Sequence, residues 1–227
     1  MNGNTDPIGE LNERYAKEIR KGFEYRCIFT LIEGYKLMKE AGEYDCSWEE
    51  ERLTAHLIKY MKHALCSRTW KLDIIPEYPV YIREIYNGIR KPKEAPRIDV
   101  RIMNWSNPQK WEYFIEAKNL AENDWNKPDG SKVNASHLRA RYIDTGIDNF
   151  VAGRYPYGCL SGYILEGSVG GVIEGINRLL KSRRRNRSHE ILNRNEPINS
   201  HSECYRSEHQ IKSGVSITLN HIFLSFN

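Results

Sequence analysis

The chain has 227 residues, 34 of them Lys or Arg against 30 Asp or Glu, for a formal net charge of +4. That length suits one large domain with a sizeable core, and the 40% hydrophobic and 28% charged fractions are ordinary for a soluble globular protein. The small basic excess allows a polyanionic partner without requiring one, and five scattered cysteines without C-x-x-C spacing argue against a secreted disulfide framework or a zinc ribbon.

The opening segment, MNGNTDPIGELNERYAKEIRKG, has no apolar signal core. No run approaches the ~18 apolar residues of a membrane span. The expectation is a reduced, cytoplasmic protein. Apolar residues then recur at Leu11, Tyr15, Ile19, Phe23, Cys27, Leu31, Tyr35 and Met38, in the steps of three and four of a helix. Gly22 and Gly34 are candidate bends, and AGEYDCS closes the helix. A second helix starts within SWEEERLTAHLIKYMKHAL, where Ser47 and Glu50 have capping-box spacing. Leu53, Leu57, Met61 and Leu65 make its apolar stripe, with Glu50 one turn ahead on the same face.

WKLDII and VYIREIY, within residues 70–90, read as strand pieces, and NGIRKPKEAP as a loop. A hairpin follows, with strands over 98–103 and 111–118 joined by NWSNPQ. NDWNKPDGSKVN is another loop. ASHLRARYIDTGIDNFVAG reads as a helix ended by Gly153, GCLSGYILEG as a strand and GGVIEGINRLLKSRR as a helix. RRRNRSHEILNRNEPINSHSECYRSEHQ is polar and poorly periodic, and VSITLNHIFLSF reads as a closing strand. This order predicts a layered α/β or α+β domain. Residues 1–46 form a helical segment packed on residues 47–227, the whole being one compact domain.

The hairpin carries charge inside an apolar run. Period two puts Ile98, Val100 and Ile102 on one face of the first strand, with Asp99 and Arg101 on the other. In the second strand Trp111, Tyr113, Ile115 and Ala117 share one face, and Glu112, Phe114, Glu116 and Lys118 the other. If the strands pair, Asp99 and Glu116 share a face. Two adjacent carboxylates repel unless a proton or a cation lies between them, and oxygen ligands suit Mg²⁺. Lys118 lies roughly 6.6 Å beyond Glu116 on that face, placed to stabilise charge growing on a phosphate. The constellation makes physical sense for metal-assisted phosphodiester hydrolysis. The bland alternative is a salt-bridged, half-exposed strand face.

PRIDV followed by FIEAK resembles the split active-site motif of the PD-(D/E)XK nuclease superfamily, which has the restriction-endonuclease-like fold. In that family an upstream helix donates an acid, one strand an Asp and the next strand (Asp/Glu)-x-Lys. Asp99 matches the Asp, and Glu116, Ala117 and Lys118 match the Glu-x-Lys. The upstream acid would be Glu50, with Glu51 as the alternative. The likeness spans about residues 47–166, and its first half reads Pro-Arg-Ile-Asp where Pro-Asp is usual.

The resemblance implies an α/β/α sandwich around a central mixed sheet, with an N-terminal helical segment added. It implies an Mg²⁺-dependent endonuclease, Mn²⁺ substituting, acting on DNA in prokaryotic restriction or anti-phage defence. Asp99, Glu116 and the Ala117 carbonyl would bind the metal. Lys118 would position or activate the attacking water. Glu50 would bind a second metal or a metal-bound water. A homodimer and an activating or specificity-giving protein are open as partners. Two alternatives stand beside this reading: an RNA-directed nuclease, and a non-cleaving nucleic-acid- or partner-binding protein of the same fold.

Arg139 and Arg141, on the helix after the motif, are candidate phosphate contacts, the alternative being a solvated helix face. The run KSRRRNR offers Arg183, Arg184 and Arg185 for the same role, or else a helix end whose cations complement the dipole. His201, Cys204 and His209 lack zinc spacing and read as a polar loop. His56 and His63 lack H-E-x-x-H. GSVGGVIEG lacks the signatures of a phosphate-binding loop and reads as a tight turn.

Overall fold

The computed structural model describes residues 8–81, 83–89, 91–104, 111–182, 190–211 and 214–227. The chain begins with a long helix α1 (Ile8–Ala41), followed by α2 (Glu50–His63) and a short α3 (Leu65–Thr69). β1 (Leu72–Pro79), α4 (Arg83–Tyr86), β2 (Arg97–Asn104) and β3 (Trp111–Ala121) come next. After a small ribbon of β4 (Trp125–Asn126) and β5 (Lys132–Val133), α5 (Ala135–Arg141) continues through a π-helical stretch, Tyr142–Ile147, into α6 (Asp148–Val151). β6 (Gly158–Glu166), α7 (Val169–Ser182), β7 (Asn193–Arg194), β8 (Cys204–Gln210) and β9 (Ser216–Ser225) complete the chain.

Seven strands make one mixed sheet in the order β1-β2-β3-β6-β9-β8-β7. β3, β6 and β9 are parallel at its centre; the outer pairs are antiparallel. Alternation along the strands feeds two cores. Tyr113, Ile115, Cys159, Tyr163, Ile222 and Leu224 pack with α1 and α2. Phe114, Leu120, Leu160, Ile164 and Phe223 pack with the helices between β5 and β6 and with α7. Strands with both faces buried read as near-continuous apolar runs, as GCLSGYILEG does. The protein is therefore α/β, with a mixed central sheet covered by helices on both faces and a long N-terminal helix. Among the described residues no helix is long and apolar enough to cross a membrane.

Several expectations are corrected. α1 does not break at its glycines; a Cβ at Gly34 would lie 2.5 Å from Met61 Cγ, so that glycine lets α2 approach closely. The capping box is absent. The N-cap of α2 is Glu49, without a side-chain bond, and the Ser47 amide donates to Asp45 Oδ1 at 2.7 Å. The described residues of VYIREIY form no strand: β1 stops at Pro79, paired with Arg97, and residues 83–86 form α4. Ile98 leaves the face of Val100 and Ile102 for the opposite core. Next to it, Glu77 of β1 takes φ 43°, and the β1–β2 ladder skips the Glu77–Asp99 pair. The polar stretch after α7 contains β7 and β8, whose outer positions are solvated while Cys204, Ser207 and His209 turn inward.

Candidate active site

β2 and β3 pair antiparallel as far as Val100↔Ile115. One step further along this register Asp99 would face Glu116, but the ladder ends there. The Asp99 carboxylate fills the gap instead: the Ala117 amide donates to its Oδ2 at 2.6 Å. β3 stays in register with β6 through this stretch, Glu116 opposite Leu160 and Lys118 opposite Gly162. The site therefore sits where the β2–β3 pairing ends while β3 stays paired with β6.

Lys118 is buried beside that end of the ladder. Its Nζ donates to Glu116 Oε1 at 2.7 Å, to the Ala117 carbonyl at 2.6 Å and to Glu50 Oε1 at 3.0 Å, and lies 3.9 Å from Asp99 Oδ2. Glu50 belongs to the first turn of α2, where an acid also complements the helix dipole. Its other oxygen accepts the Asn119 amide at 3.1 Å, and the Asn119 side chain donates to the Trp48 carbonyl at 3.2 Å. One turn on, Thr54 and Tyr163 share a buried hydrogen bond of 3.0 Å. The start of α2 is thus fastened to β3 and β6 beside the carboxylates. Glu50 enters the cluster; Glu51 is exposed and makes only a longer-range contribution to Asp99.

Three carboxylates surround one ammonium. The side chains of Glu116, Lys118 and Glu50 are 5%, 6% and 13% exposed, and that of Asp99 is 22% exposed. Burial pushes Asp99 up to about 6 against the pull of Lys118 and the Ala117 amide. Glu116 is pushed up to about 8, first by burial and then by the charge of Asp99. Burial alone would lower Lys118, but the charges of Glu116, Glu50 and Asp99 outweigh it and hold the group above its ordinary value. The side chain is accordingly an ammonium. Glu116 Oε2 is buried without a hydrogen-bond partner among the described residues. With its pKa pushed up to about 8, Glu116 keeps a proton at neutral pH, and a cation could take that proton's place.

That donor set fits a hard divalent cation on Asp99 and Glu116, which takes one or two carboxylates and completes its shell with water and phosphate. Among the described residues no group of three or more His, Cys, Asp or Glu is arranged to hold a metal ion. A cation here would rest on that pair with the Ala117 carbonyl, and Lys118 would have to release at least one of its present contacts.

The other candidates separate. Arg139 points into the fold: its Nη1 donates to the carbonyls of Ala121 and Glu122, 2.7 Å each, and its side chain packs over Gly175. It caps the end of β3 through one guanidinium nitrogen, with the side chain half-buried. Arg141 is exposed on α5. Arg183, Arg184 and Arg185 lie outside the described residues. His201 Nε2 pairs with the Phe223 carbonyl at 2.8 Å, and Cys204 Sγ lies 3.4 Å from the His201 carbonyl. His209 is buried beside Ser207, 2.7 Å from its hydroxyl. Asn119 and Trp48 were not singled out from sequence; Asn119 adjoins Lys118, yet only the arrival of α2 gives it a role.

Comparison with family models, with curated proteins and with solved structures returns no match.

Proposed function

We propose that the protein is an Mg²⁺-dependent endonuclease of restriction-endonuclease-like fold, hydrolysing phosphodiester bonds of DNA. The observation that carries this reading is the convergence of Asp99, Glu116, Lys118 and Glu50, from three separated segments, into one largely buried cluster in which three carboxyl groups share a single ammonium. A structural ion pair needs one carboxylate per ammonium; this site assembles three, and the crowding leaves Glu116 holding a proton that a cation could replace.

Asp99, Glu116 and the Ala117 carbonyl would hold the metal, with Mn²⁺ as a substitute. When bound, the metal supplies charge neutralisation to an approaching phosphodiester and acidifies a bound water. The residues of the chain do the rest. The Asp99 carboxylate is oriented by the Ala117 amide. Lys118, held as an ammonium, contributes charge next to the phosphate and orients water by donation. Glu50 aims Lys118 and keeps the start of α2 against β3. The likeness of PRIDV and FIEAK to the PD-(D/E)XK motif supports the same assignment. A place in restriction or anti-phage defence is an analogy of that resemblance. A homodimer, or an activating or specificity-giving partner, would account for recognition.

The test is cleavage of supercoiled plasmid by the wild type and Lys118→Ala in Mg²⁺, Mn²⁺ and EDTA, with a structured RNA alongside. Metal-dependent nicking or linearisation by the wild type alone is the expected result. Cleavage of the RNA only would move the substrate class to RNA. Equal activity of the variant would remove Lys118 from the mechanism.

A further inference from the structure

We propose that the end of the sheet where β6 and β9 begin holds a nucleotide-binding site separate from the carboxylate–lysine cluster. Two cavities adjoin there. One, of about 870 Å³, is lined by Lys17, Arg20 and Lys21 of α1 and by Arg206 of β8. Steps of three and four place the three α1 cations and Glu24 on one helix face. The other, of about 240 Å³, is lined mainly by Phe150, Tyr155, Pro156, Tyr157, Ile217 and Leu219. Tyr157, Ile217 and Thr218 border both.

The larger cavity is positive. Its one acid among the described lining residues, Glu24, is satisfied from within: Tyr113 and Asn220 donate to Oε1 at 3.1 and 2.7 Å, and the Tyr157 hydroxyl donates to Oε2. Lys21 pairs with Glu18 at 3.2 Å and Arg206 with Glu208 at 3.1 Å. All four of those side chains are well exposed, and such pairs hold weakly enough to yield to a phosphate. The Arg20 guanidinium stands 4.5 Å from the centre of the Tyr157 ring, the same ring that borders the apolar cavity.

A simple anion would leave the aromatic cavity without a purpose, and an apolar ligand would leave the cations without one. A nucleotide has both halves: a flat ring for the aromatic walls, and phosphates for the Arg fork and the ammoniums. The smaller cavity falls below the ~300–1,000 Å³ of sites that enclose a whole drug-sized ligand, which suits one ring system. Lys17 and Lys21 are about 6 Å apart along the helix, room for more than one phosphate group. A free nucleotide and a segment of single strand share this chemistry. The proposal does not rest on the nuclease reading, since binding here requires no cleavage.

The experiment is equilibrium binding to the full chain in EDTA, using ATP, inorganic pyrophosphate and a ten-nucleotide single-stranded DNA as separate probes. Two variants act on exposed positions: the double variant Lys17→Glu with Arg20→Glu, and Thr218→Trp, which narrows the shared mouth. Thermal melts check that both fold. ATP or the oligonucleotide should bind, and each variant should weaken it by about tenfold or more. Pyrophosphate should bind about tenfold or more weaker than ATP. Binding of ATP assigns the site to a free nucleotide; binding of the oligonucleotide alone assigns it to a strand. The proposal is overturned if neither binds, if the variants bind as the wild type does, if pyrophosphate binds as tightly as whichever of ATP and the oligonucleotide binds, or if Asp99→Asn removes the binding.

Discussion

Glu50 and Lys118 meet at 3.0 Å across 68 positions of sequence, joining the first turn of α2 to the middle of the sheet inside the candidate active site. The contact has two consequences. It positions the ammonium among the carboxylates, and it makes the integrity of the site depend on how α2 packs.

Replacing Lys118 should separate chemistry from binding. Lys118→Ala is expected to lose at least about a hundredfold in cleavage while DNA affinity, measured by anisotropy in EDTA, changes by no more than a few-fold. Parallel losses in both would mean that the residue holds substrate and does not act on the transition state.

The same variant should also change the pH dependence of stability. Asp99 and Glu116 have raised pKa values, about 6 and about 8. Their protonated forms favour the fold at low pH, and that contribution is lost as pH rises through those values. Lys118, shifted upward, offsets the loss by adding stability that is fully present below its unfolded pKa near 10.5. Without it, the melting temperature of Lys118→Ala should fall further below the wild type at about pH 8.5 than at about pH 5. Equal deficits at both pH values would speak against buried, uncompensated carboxylates.

Metal should restore what burial costs. Millimolar Mg²⁺ or Mn²⁺ should raise the melting temperature of the wild type, since a ligand at about 100 times its Kd adds about 2.7 kcal/mol. Asp99→Asn should abolish the rise. An unchanged wild-type melt across millimolar metal would count against a preformed site.

A second pH effect comes from β9, two strands across the sheet from β3. His221 is fully buried, its Nδ1 2.8 Å from the Tyr142 hydroxyl and its Nε2 2.7 Å from Ser207 Oγ, which also lies 2.7 Å from His209 Nε2. Burial, and then the nearby His209, lower its pKa to about 3. The neutral ring therefore contributes stability that is complete above the unfolded value of about 6.5 and is lost as pH falls from there toward 3. The loss should be on the order of a few kcal/mol. His221→Gln should flatten this acid limb of a urea-stability profile; an unaltered limb would assign it to other groups.

The two arginines of α5 should part company. Arg139→Ala removes donors from two carbonyls at the end of β3 and is expected to cost about 1–3 kcal/mol by denaturant unfolding, with nucleic-acid affinity unchanged. Arg141→Ala, at an exposed position, should stay within about 0.5 kcal/mol of wild-type stability. Any effect of that variant would then appear as a smaller salt dependence of binding.

Local pattern alone determined a good deal here. The 3.6-residue period announced α1 and α2, period two announced the hairpin, and both put Glu50, Asp99, Glu116 and Lys118 on faces that could meet. Short-range signals failed where a long-range partner took the group. Ser47 and Glu50 had capping spacing, but Glu50 is taken by Lys118 and Asn119 of β3. Arg139 read as a phosphate contact or a solvated cation, and its bonds to the Ala121 and Glu122 carbonyls appear only once β3 and α5 are packed together. Ile98 should share the face of Val100 by alternation, yet it joins the opposite core beside the point where the Glu77–Asp99 pair is missing from the ladder. β8 stayed hidden because an outer strand with one solvated face is polar at every second position. Spacing along a chain dictates which face a side chain occupies; which groups share a buried, low-dielectric pocket, and so which carboxylates are forced to hold protons or a cation, is decided only when separate elements pack together.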